Sequence, residues 1–308
     1  MPARSRLTCF EEVPTALAGW DGTIEQVSSG KFVGTLQIAR GRALRVIRIT
    51  GTQSLLLRGQ ESGPVLSLTP VITGNADGRW HGHRLEPGQI VLRGPDSEVD
   101  HLTPRTSEYV NITVPVAALE AAARALGGSK PLPDLRSWSV LTPRPADFQV
   151  LQLATDRLLA THGGGSALLD PEAELLEQEY LRLLAQSLDT GAWAAEGTAS
   201  LPARVRLLRR ADELMRGRLR NPLGVLDLCA ALGATDRTLR LTFKERYGCG
   251  PMTYYRRLRL NAVHTRLASD PAVSVAAAAH EYGFTHLGNF AADYRRLFGE
   301  LPSETRRG

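Results

Sequence analysis

The stretch from about Leu223 to Pro302 limits what this chain can fold into more than any other, because it states one pattern twice. Gly233 and Thr235 precede Leu239, Phe243, Lys244, Tyr247 and Gly248, with Pro251 three residues beyond that glycine. Gly283 and Thr285 precede Phe290, Tyr294, Arg295, Phe298 and Gly299, with Pro302 at the same distance. The turn positions are 50 residues apart and the later ones 51, so the second copy holds one extra residue in its turn. A matched spacing of this kind is an internal repeat.

Each copy reads as two helices around a tight turn. A short apolar helix (Leu226, Leu228, Cys229, Leu232; or Val275, Ala278, Ala279, Tyr282) runs into a glycine able to take the positive φ of a helix end. Thr235 or Thr285 follows as an N-cap, its side-chain oxygen accepting from an orphan amide. Leu239 and Phe243, or Phe290 and Tyr294, then stand at i and i+4 and form one buried face. A second helix that is polar outside, reached through such a turn, describes a DNA-reading helix-turn-helix. Between the copies Pro251 opens a breaker-free run of 18 residues to Ala268. Its length of roughly 27 Å would set two reading helices in successive major grooves about 34 Å apart.

The runs GCGPMTYYRRLRLNAV and SVAAAAHEYGFTHLGNFAADYRRLFGELPSE resemble the signature of the AraC-type transcription regulators. The resemblance covers about Ala203 to Arg307. It implies two helix-turn-helix units joined by a rigid helix on one face of double-stranded DNA. It also implies RNA polymerase as a partner, an activating role, and a structural use for Arg259.

Helical geometry assigns the contacts. With Leu239 and Phe243 inward, Arg237, Thr238, Arg240, Leu241 and Lys244 fall on the outer side of the first reading helix. Arg237 and Arg240, at i and i+3, are the candidates for guanine O6 and N7. Lys244 and Arg246 are better placed for phosphates. The family commonly has arginine where Leu241 stands, which suggests apolar readout there, for instance of a thymine methyl. The second helix presents His286, Leu287, Gly288, Asn289, Ala291, Ala292 and Asp293, with fewer long donors. It is expected to bind through amides near Thr285 and through Arg295 and Arg296, leaving specificity mainly to the first unit. Thr235 and Thr285 also mark helix N-termini, which favour a phosphate.

Charge is divided along the chain. Residues 201–308 hold 19 Lys+Arg against 10 Asp+Glu, whereas residues 1–200 hold 18 against 22. A basic end beside a mildly acidic one suits phosphate binding confined to one domain. The start, MPARSRLTCF, lacks the apolar run of a signal peptide, and no apolar stretch reaches 18 residues. A cytoplasmic protein without membrane contact is expected. Cysteines 9, 229 and 249 are too scattered for a disulfide framework or zinc site, and Cys229 suits a helix core.

Residues 1 to about 114 read as short strands (LQIARG, LRVIRIT, SLLLRG, VLSLTPVIT, GQIVLRG, YVNITV) between turns. Their number suggests a small barrel or sandwich. Glu86-Pro87-Gly88-Gln89 before Ile90 is similar to a turn in the family's cupin-like sensor domains. From Pro115 to about 190 the pattern is helical: VAALEAAARAL, a helix near Pro145 broken at His162 to Gly165, and one from Asp170-Pro171 with Leu175, Leu176, Tyr180, Leu183, Leu184 and Leu188. Those leucines either form a dimer contact, as in the family, or cover the barrel. Gly191 to Ser200 reads as a linker.

The expected fold is therefore α+β. A sensor and dimerisation domain, 1–195, has a cupin-like β-barrel over about 1–114 and helices over about 115–190. An all-α DNA-binding domain of two helix-turn-helix units on a long connecting helix spans 201–308. The cluster His81, His83, Glu86 and His101 is similar to a cupin metal set, but Glu86 comes one residue early and in a turn. No metal, cofactor or catalytic residue is assigned. The first 200 residues hold no nucleophile elbow, cysteine-rich zinc cluster or phosphate loop, so no enzyme is expected. An apolar cavity inside the barrel is the expected site of an unknown small-molecule effector. The function expected is a ligand-responsive activator acting as a homodimer. The alternatives are an architectural or accessory DNA-binding protein without a ligand, and a metal-sensing cupin-type regulator.

Overall fold

The computed structural model describes residues 5–13, 20–61, 63–72, 78–95, 97–127, 138–162, 171–190, 192–194 and 203–306. All of the segment GGSKPLPD after its first glycine, the glycines at 163–165 and most of the expected linker lie outside these. Tertiary contacts divide the chain into two compact units. The first is Met1–Thr23, Val33–Gly51 and Leu57–Ala199; the second is Ile24–Phe32, Thr52–Leu56 and Ser200–Gly308.

The strands are β1 (Ser5–Leu7), β2 (Trp20–Gln26), β3 (Gly34–Arg40), β4 (Arg45–Gly51), β5 (Leu55–Glu61), β6 (Val65–Pro70), β7 (Arg79–Trp80), β8 (Ile90–Arg93), β9 (Glu98–Leu102) and β10 (Ser107–Pro115). Helix α1 (Val116–Ala125), β11 (Ser139–Thr142), α2 (Pro145–His162), α3 (Pro171–Thr190) and β12 (Ala192–Ala194) follow. The contacts group the end of β2 and the start of β5 with the second unit. One sheet has the order β1-β3-β4-β10-β6-β8-β11-β12 and the other β2-β5-β9-β7. Among the described residues both sheets are open, so the closed barrel expected from sequence gives way to two antiparallel sheets. Alternation of apolar residues sets which faces are buried, but closure depends on tilt and stagger, which alternation does not encode. Ala192–Ala194, expected within the linker, instead pairs with β11, Trp193 opposite Leu141.

Register builds the first unit's core. Ile112 lies opposite Val46 on one side and Leu68 on the other, and Leu68 opposite Leu92, so one apolar row crosses β4, β10, β6 and β8. That row packs with Leu151 and Leu158 of α2 and with Tyr180, Leu184 and Leu188 of α3 in a single cluster. Each fully buried leucine is worth roughly 1.5–3 kcal/mol. The leucines of α3 thus cover a sheet within the chain, whereas Leu175 is exposed.

On the alternating positions the interior is mixed: Ser67, Thr69, Arg93 and Asn111 are buried beside Ile47 and Val91. Histidines here serve packing. His81 stacks on Trp138 with ring centroids 5.2 Å apart, and its Nε2 lies 3.0 Å from the Glu98 carbonyl oxygen. His83 also meets Trp138, and His101 lies between Trp80 and Tyr109. Glu86 is exposed and 3.5 Å from Arg84 Nε. Among the described residues no three His, Cys, Asp or Glu are placed to hold a metal ion.

The second unit contains α4 (Ala203–Arg216), α5 (Val225–Leu232), α6 (Asp236–Tyr247), α7 (Pro251–Ser269), α8 (Val275–Glu281), α9 (Leu287–Phe298) and α10 (Pro302–Thr305). The expected connector is α7, with Pro251 in its first turn and Tyr254, Tyr255, Leu258, Val263 and Leu267 buried along it. Phe243 and Tyr247 pack on Tyr254 at one end, and Tyr294 and Phe298 pack on His264 at the other. Residues far away in sequence complete the unit. The Asn261 amide accepts from Gln26 N and donates to Gln26 O, both at 2.9 Å, and Gln26 Nε2 donates to the Leu297 carbonyl. Arg216 donates to both Glu25 oxygens at 2.6 Å and to Asp212, which also accepts from the Tyr254 hydroxyl. Burial opposes the Arg216 charge, but Glu25 and Asp212 outweigh it and raise its pKa. No helix among the described residues is long and apolar enough to cross a membrane.

Candidate nucleic-acid interface

In the first helix-turn-helix, α5 ends at Gly233, whose φ of 62° is the left-handed conformation glycine favours. Ala234 N closes the turn on the Cys229 carbonyl. Thr235 is the N-cap of α6, its Oγ1 accepting from Thr238 N at 3.2 Å. Leu239 and Phe243 are buried, and Arg237, Thr238, Arg240, Leu241 and Lys244 are exposed on the opposite side. Leu241, 48% exposed, is the apolar member of that outward face.

Two details differ from the sequence expectation. Arg246, read as a phosphate contact, is 7% exposed and lies over the Tyr247 ring. Counting from Leu239, it falls on the inward side together with Thr242 and Phe243. Leu226, read as core, is 78% exposed, and Cys229 is half-buried. A helix of eight residues buries only Leu228 and Leu232.

The second copy departs at its turn. α8 starts on Ser274, whose Oγ accepts from Ala277 N at 3.1 Å. Gly283, φ 75°, follows, and Arg259 Nη1 donates to the Tyr282 and Gly283 carbonyls at 3.2 and 3.3 Å while its guanidinium lies over Phe284. Burial lowers the Arg259 pKa. Thr285 was read as the N-cap of α9, but the cap is His286, with no side-chain cap bond. The residue inserted into this copy separates Thr285 from the helix start and takes it out of capping reach. Thr285, His286, Leu287, Gly288, Asn289, Arg295 and Arg296 are exposed, while Phe290 and Tyr294 are buried.

The ion pairs that acidic residues make on the same surfaces went unread in the sequence. Asp236 holds Arg240 Nε at 2.7 and 2.9 Å. Asp293 pairs with Arg296 Nη1 at 3.1 Å and with Arg256 of α7. The i,i+4 and i,i+3 spacings were the available signal for Asp236–Arg240 and Asp293–Arg296. Nothing local marked Arg256.

Residues 228–308 match the family described as a helix-turn-helix domain. A probable AraC family transcriptional regulator from Rhodopseudomonas palustris CGA009 is 36% identical over 33% of this chain and 95% of its own, with a TM-score of 0.31. This chain is an AraC-type transcription regulator. Over a longer span it is similar to the XylDLEGF operon transcriptional activator 3 of Pseudomonas putida, 27% identical over 74% of this chain and 69% of that protein. A probable thc operon regulatory protein of Rhodococcus erythropolis is 33% identical over 51% of this chain and 45% of its own length. The AraC-type unit binds double-stranded DNA and regulates transcription; the chain is not an enzyme.

Proposed function

We propose that this regulator is a cytoplasmic, ligand-responsive activator that binds DNA as a homodimer and reads sequence chiefly through α6. The observation that carries the reading is the outward face of α6, where Arg237, Thr238, Arg240, Leu241 and Lys244 stand exposed together. Two guanidiniums one turn apart can each donate bidentately to a guanine. On α9 the exposed long donors, Arg295 and Arg296, sit in the last turn, and Asp293 already engages Arg296. Such cations serve phosphates better than base edges. Thr285, His286, Leu287 and Asn289 supply shorter contacts. Thr235 belongs to the amide-rich start of α6, where a phosphate is favoured.

Activation through RNA polymerase follows the relatives named as activators. Leu153 and Leu175, 63% and 67% exposed on α2 and α3, support a dimer surface on helix faces that the sheet leaves uncovered. The test is selection of bound sequences from a random duplex pool by the full chain, then by Arg237→Ala and Arg240→Ala. A selected motif that is unchanged in both variants would place base readout elsewhere.

A further inference from the structure

In the first unit, a cavity of about 310 Å³ lies between the apolar row of the larger sheet and helices α2 and α3. Protein interiors leave few voids larger than a water, and this volume falls within the range of small-ligand sites. It is on the helix-covered face of the sheet, not between the two sheets. Leu68, Ile90, Val110, Ile112, Phe148 and Leu151 supply its apolar walls. Thr155 donates to the Leu151 carbonyl at 2.8 Å and, with its hydroxyl hydrogen so engaged, accepts from the Tyr180 hydroxyl at 2.9 Å. Both hydroxyl hydrogens are thereby engaged, which leaves recognition of a cation to the charged end.

That end is Arg48, Glu108 and Asp156, the charged groups among the lining residues. Arg48 Nε lies 2.9 Å from Glu108 Oε1, yet is not aligned for a hydrogen bond, so the contact is an ion pair alone. Arg48 Nη2 pairs with Asp156, whose side chain is 58% exposed and so has room to turn toward a ligand. One guanidinium set against two carboxylates leaves a net negative charge beside an apolar chamber. We propose that this chamber between sheet and helices binds a small amphipathic amine, its hydrocarbon body in the cavity and its ammonium at Asp156 and Glu108. The proposal rests on the reading of the first unit as a sensor and names its site and ligand class.

The experiment titrates the full chain calorimetrically with decan-1-amine, decan-1-ol and decanoate, each below its micelle concentration. The amine is expected to bind one per chain, at least about tenfold more tightly than decanoate, because like charges facing each other are costly. In Glu108→Gln with Asp156→Asn, Arg48 is left unopposed and decanoate should overtake the amine. Decanoate binding native protein as tightly as the amine, or a double variant with unaltered preference, would overturn the assignment. Should that variant not fold, a diazirine-bearing decylamine on the native chain decides: labelling within residues 145–156 and 107–113 supports the site, and labelling elsewhere defeats it. Sensing is read separately from DNA affinity. Labelling here with unchanged DNA affinity keeps the site and removes the sensor role; a DNA response from an amine that labels elsewhere does the reverse.

Discussion

Asp236 and Arg240, one turn apart on an exposed face, illustrate how a residue's environment decides what it can offer DNA. The carboxylate occupies Arg240 Nε in the free protein, whereas among the described residues Arg237 is held by no ion pair. Arg240 must therefore exchange a partner to reach a base, and the exchange has a cost. We predict that Arg237→Ala loses about 1–3 kcal/mol on the selected site and relaxes preference at one or two base pairs, measured by competition gel shift. Asp236→Asn should tighten binding to all duplexes, by removing a charge facing phosphates, and most of all to the selected site, by freeing Arg240. Arg246→Ala should lower the melting temperature while leaving site preference intact, because that guanidinium is buried over Tyr247. Unchanged stability together with weaker DNA binding would restore Arg246 to the interface.

Among the elements, the two reading helices begin differently, and that difference can be weighed. Thr235 caps α6 through Thr238 N, but Thr285 precedes an uncapped start at His286. Thr235→Ala is expected to destabilise by about 1 kcal/mol and Thr285→Ala by much less, read from urea midpoints. Equal losses would show that the extra residue does not displace the cap. The repeat was legible because its signals are local: a glycine, a threonine two residues on, aromatics at i and i+4. The misplaced cap was not, since a one-residue insertion leaves the residue types unchanged while altering which of them starts the helix. Arg246 was misread for a related reason, its charge suggesting an outward position that its spacing from Leu239 denies. At the far end of α7, the His264 ring, its Nε2 3.7 Å from Glu300 Oε1, together with a hydrogen bond from Thr305 and the charge of Lys31, holds the Glu300 carboxyl below its ordinary 4.5. A depressed carboxylate pKa adds stability above the unfolded value and loses it as pH falls through the folded one. The stability difference between native protein and Glu300→Gln should accordingly be full at neutral pH and shrink below about 4.5. A difference that stays constant down to pH 3 would remove this pairing from the account.

For the molecule as a whole, two features were beyond the reach of any local pattern. Whether strands close into a barrel depends on stagger, and the number of short strands suggested a barrel or sandwich where the described strands form open sheets. The pairing of Gln26 with Asn261 joins residues 235 apart, and nothing near either one announces it. A fragment of residues 198–308 keeps both reading helices but lacks Glu25 and Gln26, so it should bind DNA with the same preference and melt at a lower temperature. Asn261→Ala should cost about 1–3 kcal/mol in the full chain, where it strands two buried backbone groups, and far less in the fragment. Equal costs in both would show that Gln26 contributes nothing. Sedimentation tests the proposed homodimer: Leu153→Glu with Leu175→Glu should convert the native chain to a monomer, and an unaltered mass would clear those leucines of the role.

Gene duplication usually leaves twins, yet the turn before α9 has one residue more than its counterpart before α6, and the helix it feeds carries a different set of side chains. Bound to a promoter, the chain would then have a head and a tail. An operator written as the same short word twice would suit one half of the domain and mismatch the other. Reversing the site end for end would exchange the words that the two reading helices meet, so the site itself would have a direction.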